Sequence, residues 1–96
     1  MYAQLVMFTL GQGMRTEAES IADKFNALHK DIKGFKNATF LGDYANGNYG
    51  SLTIWETLED LQAAADILRP KLQEALSGIA KGEPTVQIFE VYEPKV

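Results

Sequence analysis

The sequence predicts an α+β fold with the order strand, helix, strand, strand, helix, strand. Four segments are rich in β-branched and aromatic residues, and two others carry apolar residues at the spacing of one helical face. The dipeptide Asn46-Gly47 lies between two of the extended segments and is a strong hairpin signal. These observations indicate an antiparallel sheet with two helices on one face.

The first half of the chain is predicted to contain a strand, a helix and a second strand. Residues 2–10 form the first strand, which ends at a glycine-rich turn. Thr16 is expected to cap the first helix, with Glu19 completing a capping box. Gly34 suits the C-terminal end of that helix. Residues 35–44 are then expected to be extended.

The second half is predicted to have the same order of strand, helix and strand. Residues 49–56 are predicted to pair antiparallel with the preceding strand, and Thr57 to cap a helix with an acidic first turn. Pro70 interrupts the apolar stripe of that helix, so we expect a kink or two shorter helices there. Residues 85–93 form the last predicted strand. The result is a ferredoxin-like βαββαβ arrangement in a single domain covering residues 1–96.

Both faces of the predicted sheet are apolar. In the first strand Val6 lies on one face and Leu5 on the other, and in the last strand Ile88 opposes Phe89. Two helices can cover only one face, and a large exposed apolar patch is uncommon on a monomer. We therefore expect a homodimer packed sheet to sheet, with a ligand cavity as the alternative use of this surface.

The charge balance argues against nucleic acid and membrane partners. The 96 residues include 9 basic and 13 acidic side chains, for a net charge of -4, which disfavours binding to phosphate backbones and anionic lipid. Lys30, Lys33 and Lys36 form the only local basic group. A favourable interaction with the end of the first helix explains them better than an anion site.

The absence of cysteine excludes disulfides, thiolate metal sites and cysteine nucleophiles. The first ten residues lack a basic leader and a small-residue cleavage site. A cytoplasmic location is therefore expected.

The order of elements, the Gly34-Phe35 dipeptide before the second strand, the Asn46-Gly47 hairpin and the segment 52–57 together resemble the antibiotic biosynthesis monooxygenase family. The resemblance implies a dimeric α+β barrel, in which two sheets pack face to face. Some members oxidise aromatic polyketides or quinols with dioxygen and no metal or flavin, so no cofactor is expected. Others degrade heme and carry a Trp and a His on the second helix. Ala64 and Glu74 stand at those positions here, which disfavours heme degradation.

Cofactor-free oxygenation needs a group that accepts a substrate proton and a dry cavity in which the anion meets dioxygen. His29 is the candidate base, although a structural role near the helix end is an alternative. Trp55 is the candidate pocket wall for a planar substrate, with a core or dimer-interface position as the alternative. Tyr49 is expected to orient a substrate oxygen, and Asn37 to contribute to substrate binding.

Two functions from different classes follow from these residues. The first is a homodimeric monooxygenase-like protein that acts on a small aromatic or quinol-type molecule, with His29 and Tyr49 as catalytic residues. The second is a non-catalytic dimer that binds a small hydrophobic molecule, because no clear acid-base pair is present in the sequence. An RNA-binding domain with the same strand order is opposed by the negative net charge.

Overall fold

The computed structural model describes residues 1–95 and confirms the predicted order of elements. The four strands form one antiparallel sheet in the order β2-β3-β1-β4. Within residues 1–95, no helix is long and apolar enough to cross a membrane. The elements are β1 (Tyr2–Thr9), α1 (Arg15–His29), β2 (Phe35–Asp43), β3 (Asn48–Trp55), α2 (Leu58–Leu76) and β4 (Thr85–Glu90).

Both helices lie on one face of this sheet. Tyr49 and Trp55 point to the same side of β3 because they are separated by an even number of residues. Ala18 of α1 shares a buried cluster with Tyr49, and Leu61 of α2 shares another with Trp55. The core therefore consists of two clusters between the helices and this side of the sheet.

The opposite side of the sheet, which we call the open face, carries apolar residues that no helix covers. We define the open face by Leu5, Met7, Leu52, Ile54 and Phe89. Leu5 pairs with Leu52 at its centre, and Phe89 at the β4 edge is 48% exposed. The expectation that both faces are apolar is confirmed, whereas the expected second subunit remains a prediction.

The two ends of α1 differ from expectation. Met14 occupies the N-cap position without a side-chain capping bond, so the predicted capping box at Thr16 is wrong. Glu19 instead pairs with Arg15 one turn earlier, at 2.9 Å. The helix also ends at His29 rather than at Gly34, which has a φ of 84° and closes the turn leading into β2.

Helix α2 is continuous through Pro70, so the alternative of two shorter helices is wrong. Proline removes only one intrahelical bond, the one to the carbonyl of Asp66 four residues earlier. Asp66 and Pro70 are both exposed, and water can take the place of the missing donor. At the start of the helix the predicted cap is confirmed, because Thr57 Oγ1 accepts a hydrogen bond from the Asp60 amide at 3.0 Å.

The hairpin between β2 and β3 is confirmed and comprises a four-residue connection, 44–47. Gly47 has a φ of 71°, and its carbonyl accepts a bond from the Leu10 amide at 2.8 Å. The hairpin end is thereby joined to the loop after β1. The last strand is shorter than predicted, since β4 ends at Glu90 and Tyr92 is 75% exposed.

Candidate functional site

A cavity of about 330 Å³ lies between the sheet and the two helices, within the range of small-molecule sites. Aromatic and aliphatic side chains supply most of its wall. The charged residues that border it, Glu19, Arg69 and Glu83, are exposed and lie at its rim. The polar groups inside are uncharged or, for histidine, titratable. They are Gln4, His29, Tyr49, Ser51 and Thr53.

His29 is the last residue of α1 and is 5% exposed. Its ring stacks on Phe35, with centroids 5.4 Å apart and planes inclined by 6°. The edge contact with Trp55 brings the two centroids to 6.0 Å, and Phe40 lies at 6.5 Å. Three aromatic rings of β2 and β3 thus fix the imidazole at the cavity wall.

The surroundings of His29 disfavour its charged form. Burial lowers its pKa below the ordinary value of 6.5, because the charged form loses water. Within residues 1–95 the enclosed Nδ1 atom has no hydrogen-bond partner. The lowered pKa argues against the alternative of a cation that stabilises the helix end. A neutral imidazole is instead able to accept a proton.

Tyr49 lies at the other end of the same cavity, near the β2–β3 connection. It is 4% exposed and pairs with Phe8 across the sheet. Tyr44 makes an edge contact with its ring, with centroids 5.7 Å apart. No hydrogen bond of the Tyr49 hydroxyl to any described residue is present. The two predicted catalytic residues therefore share the cavity but do not contact each other.

Trp55 is 1% exposed and does not line the cavity. It packs with Leu61 and Ala64 of α2, and its indole N–H donates to Thr53 Oγ1 at 2.9 Å. The indole contacts the His29 ring edge to face and supports the imidazole without lining the cavity itself. This is the core position that the sequence left open as the alternative for Trp55.

Asn37 lies on the side of the sheet away from the cavity. A β-bulge between Phe35 and Asn37 shifts the register, so that Phe35 pairs with Trp55 and Asn37 pairs with Ile54. Asn37 is exposed and shares the open face with Ile54. The structure thus separates Asn37 from His29 and Tyr49, and alternation along β2 alone did not indicate this bulge.

Several solved structures are similar to this chain over almost its whole length. The monooxygenase of the ActVA-Orf6 gene from Streptomyces coelicolor, in complex with the ligand Nanaomycin D, has a TM-score of 0.78 at 18% identity, covering 99% of this chain and 90% of its own. The cofactor-independent oxygenase SnoaB from Streptomyces nogalater has a TM-score of 0.73 at 16% identity, covering 98% and 94%. The heme degrader MhuD from Mycobacterium tuberculosis, with two hemes bound, has a TM-score of 0.73 at 22% identity, covering 98% of each chain. No protein-family model and no curated protein matches the sequence.

This chain has the fold of the antibiotic biosynthesis monooxygenase-type proteins. The resemblance predicted from sequence is confirmed at this level. Identities below one quarter mean that the likeness concerns the fold, so activity must be argued from the site.

The two positions compared with heme-degrading members occupy different surroundings on α2. Ala64 is 1% exposed and packs against Trp55 and Leu61 in the core. Glu74 is exposed on the same helix. Among residues 1–95, no group of three or more His, Cys, Asp or Glu side chains is arranged to hold a metal ion.

Among the cavity residues that the sequence did not single out are Gln4 and Phe40. Gln4 interrupts an otherwise apolar run on the covered side of β1, between Tyr2 and Val6. A single amide side chain within an apolar run was the sequence signal that could have identified Gln4. Phe40 was not identifiable, because its side of β2 depends on the bulge near Asn37.

Proposed function

We propose that this protein is an oxygenase that uses dioxygen, without metal or flavin, to oxidise a small aromatic or quinol-type substrate. The observation that carries the proposal is a buried His29, its pKa lowered by burial, at the wall of a largely apolar cavity that includes several aromatic rings. An electron-rich planar molecule suits such walls. A buried imidazole whose pKa is lowered is a proton acceptor already in its basic form near neutral pH.

The reaction we propose begins with transfer of a substrate proton to His29, from a hydroxyl or from an acidic C–H beside an aromatic ring. The resulting anion is an electron donor, and a carbon–oxygen bond forms when it combines with dioxygen. The proton returns from the imidazolium to give a hydroperoxide. Loss of water from a CH–OOH group then leaves a carbonyl, so that CH₂ and O₂ become C=O and H₂O. The apolar walls disfavour competing protonation of the anion by water.

In this proposal Tyr49 donates a hydrogen bond to a substrate oxygen at the far end of the cavity. Support comes from its burial and from a hydroxyl that has no hydrogen-bond partner within residues 1–95. Trp55 acts indirectly by supporting the His29 ring from behind, which is consistent with their edge contact at 6.0 Å. Trp55 is accordingly a positioning residue rather than one that touches substrate.

We further propose that the protein functions as a homodimer through the open face. Phe89 at 48% exposure and the central pair of Leu5 and Leu52 support this proposal, because a second copy would remove them from water. Asn37, on the same side of the sheet, would then lie close to the partner subunit.

The test is dioxygen uptake with a panel of hydroquinones and hydroxylated anthrones. His29→Phe keeps a ring against Phe35 and removes the base, so at least a hundred-fold loss of kcat is expected, as is usual for a general base. Gln62→Leu, on the exposed side of α2, is the matched control and should leave turnover unchanged. Uptake that persists in His29→Phe at the wild-type rate would remove His29 from the mechanism.

The second candidate function is a non-catalytic binding protein for a small hydrophobic molecule. It is favoured by the absence, within residues 1–95, of a carboxylate hydrogen-bonded to His29 Nδ1. Quenching of Trp55 fluorescence by naphthols distinguishes the two. Saturable quenching without dioxygen uptake across the whole panel would support binding alone, whereas consumption of the bound aromatic would exclude it.

A further inference from the structure

Gln4 is a polar residue in a place where an apolar one is expected. It lies on the covered side of the central strand β1, half-buried, and its side chain lines the cavity. Its neighbours across the sheet are Thr53 on β3 and Ile88 on β4. The cavity floor around this amide is otherwise formed largely by apolar side chains, including Val6 and Phe8.

The side-chain amide of Gln4 has no hydrogen-bond partner among residues 1–95. The adjacent Thr53 hydroxyl accepts from the Trp55 indole at 2.9 Å and donates to the Gln4 backbone carbonyl at 3.5 Å, and it makes no bond to the Gln4 side chain. The amide of Gln4 is not fully enclosed, because His29 Nδ1 is the one enclosed side-chain atom without a partner within residues 1–95. The amide offers two donors and an acceptor to whatever fills the cavity.

Gln4 and His29 lie on opposite sides of β3. His29 packs on Phe35 and Phe40 of β2, whose sheet partners are Trp55 and Ser51, and Gln4 pairs with Thr53 midway between those two. Strands β1 and β2 flank β3, so their backbones are about 10 Å apart at two strand spacings. Gln4 lines the cavity from the β1 side, and His29 lines it from the β2 side.

We infer that Gln4 is a specificity-determining residue that binds a second oxygen of the substrate, on the ring edge opposite the oxygen that faces His29. The ligand class is an uncharged aromatic of one or more fused rings with oxygen substituents on two opposite edges. Charged substituents are disfavoured because the charged side chains lie only at the rim. The inference rests on the proposed function for the aromatic class, and it adds which part of the molecule is recognised.

The test compares two ligands by isothermal titration calorimetry. In 1,5-dihydroxynaphthalene the hydroxyls stand on opposite edges, whereas 1-naphthol has only one. Gln4→Met keeps the length of the side chain and removes its hydrogen-bonding groups. We expect it to weaken the diol about ten-fold and to change the affinity for 1-naphthol less than two-fold, as for loss of one neutral hydrogen bond. Gln62→Leu should bind both ligands as wild type does.

Equal losses for the two ligands, or none for either, would overturn the role of Gln4. Gln4→Leu serves as the second variant if Gln4→Met does not fold. Failure of wild type to bind either naphthol would overturn both the aromatic class and the inference. Selective loss of the diol in a protein that takes up no dioxygen would leave the Gln4 inference standing and would refute the proposed oxygenation, so the two failures are distinguishable.

Discussion

His29 determines how activity should depend on pH. Its pKa is lowered from 6.5 by burial, and only the neutral imidazole accepts a proton. We therefore expect kcat/KM to rise with pH through a midpoint below 6.5 and to be constant above it. The measurement is a pH profile of dioxygen uptake. A midpoint above 6.5 would contradict the burial effect on which the assignment depends.

The same residue should make stability pH-dependent. Because the folded-state pKa lies below the unfolded value of 6.5, the unfolded chain binds more protons between the two values. His29 consequently costs no stability above this window, and the free energy of unfolding falls as pH decreases from 6.5 toward the folded pKa. Thermal melts of wild type and His29→Phe at several pH values measure the effect. The variant should lose less stability than wild type on acidification, and parallel curves would refute the prediction.

For single residues, the sequence predicted which side chains could take part in chemistry better than it predicted what surrounds them. The choice of His29 and Tyr49 needed only the identity of the titratable and hydroxyl groups, and both line the cavity. The side of the sheet on which Asn37 lies depends on a bulge, and the burial of Trp55 depends on where α2 packs. Neither is a local property of the sequence.

Gly47 is the residue through which the hairpin meets the loop after β1. A Cβ at this position would collide with the backbone carbonyl of Gly11. Gly13 has a similar φ, 78° against 71°, but has no atom within 4 Å of such a Cβ. Both Gly47→Ala and Gly13→Ala should incur the strain of a left-handed alanine, about 1–2 kcal/mol. Only Gly47→Ala should add a collision with the Gly11 carbonyl.

We expect Gly47→Ala to lower the free energy of unfolding by at least about 1 kcal/mol more than Gly13→Ala, since the bonds to the Gly47 carbonyl must also lengthen. Those bonds come from the amides of Leu10 at 2.8 Å and Gly11 at 3.3 Å. Urea titration of both variants measures the difference. Equal values would show that the contact is relieved without cost.

The elements themselves were predictable where a local signal acts alone. Asn46-Gly47 and the Thr57 cap are of this kind. The capping box at Thr16 failed because the helix begins at Arg15 with Met14 as the N-cap, which places Thr16 inside the first turn, and Glu19 forms an i, i+4 pair with Arg15. Pro70 did not divide α2, because proline removes only one intrahelical bond and Asp66, whose carbonyl loses that bond, is an exposed residue.

For the whole molecule, the sequence predicted the order of elements and the two apolar faces, but not a cavity on the side of the sheet that the helices cover. Alternation in β1 assigns Val6 and Leu5 to opposite sides without any knowledge of tertiary structure. The cavity depends on how α1 and α2 splay over the sheet and on which side chains leave room between them. The separation between the helices and the sheet arises from long-range packing, and no periodic pattern in the sequence encodes it.

The open face leads to a prediction about assembly. Leu52 lies at its centre beside Leu5, and a lysine there would place an unpaired charge inside a sheet-to-sheet interface. Such burial costs several kcal/mol, so Leu52→Lys should raise the dissociation constant of the dimer by at least about 100-fold. Ile67→Lys is the matched control, because Ile67 is 52% exposed on α2, away from this face. Sedimentation velocity should give a dimer for wild type and for Ile67→Lys, and a monomer for Leu52→Lys. A monomeric wild type would show that the apolar residues of the open face serve some purpose other than self-association.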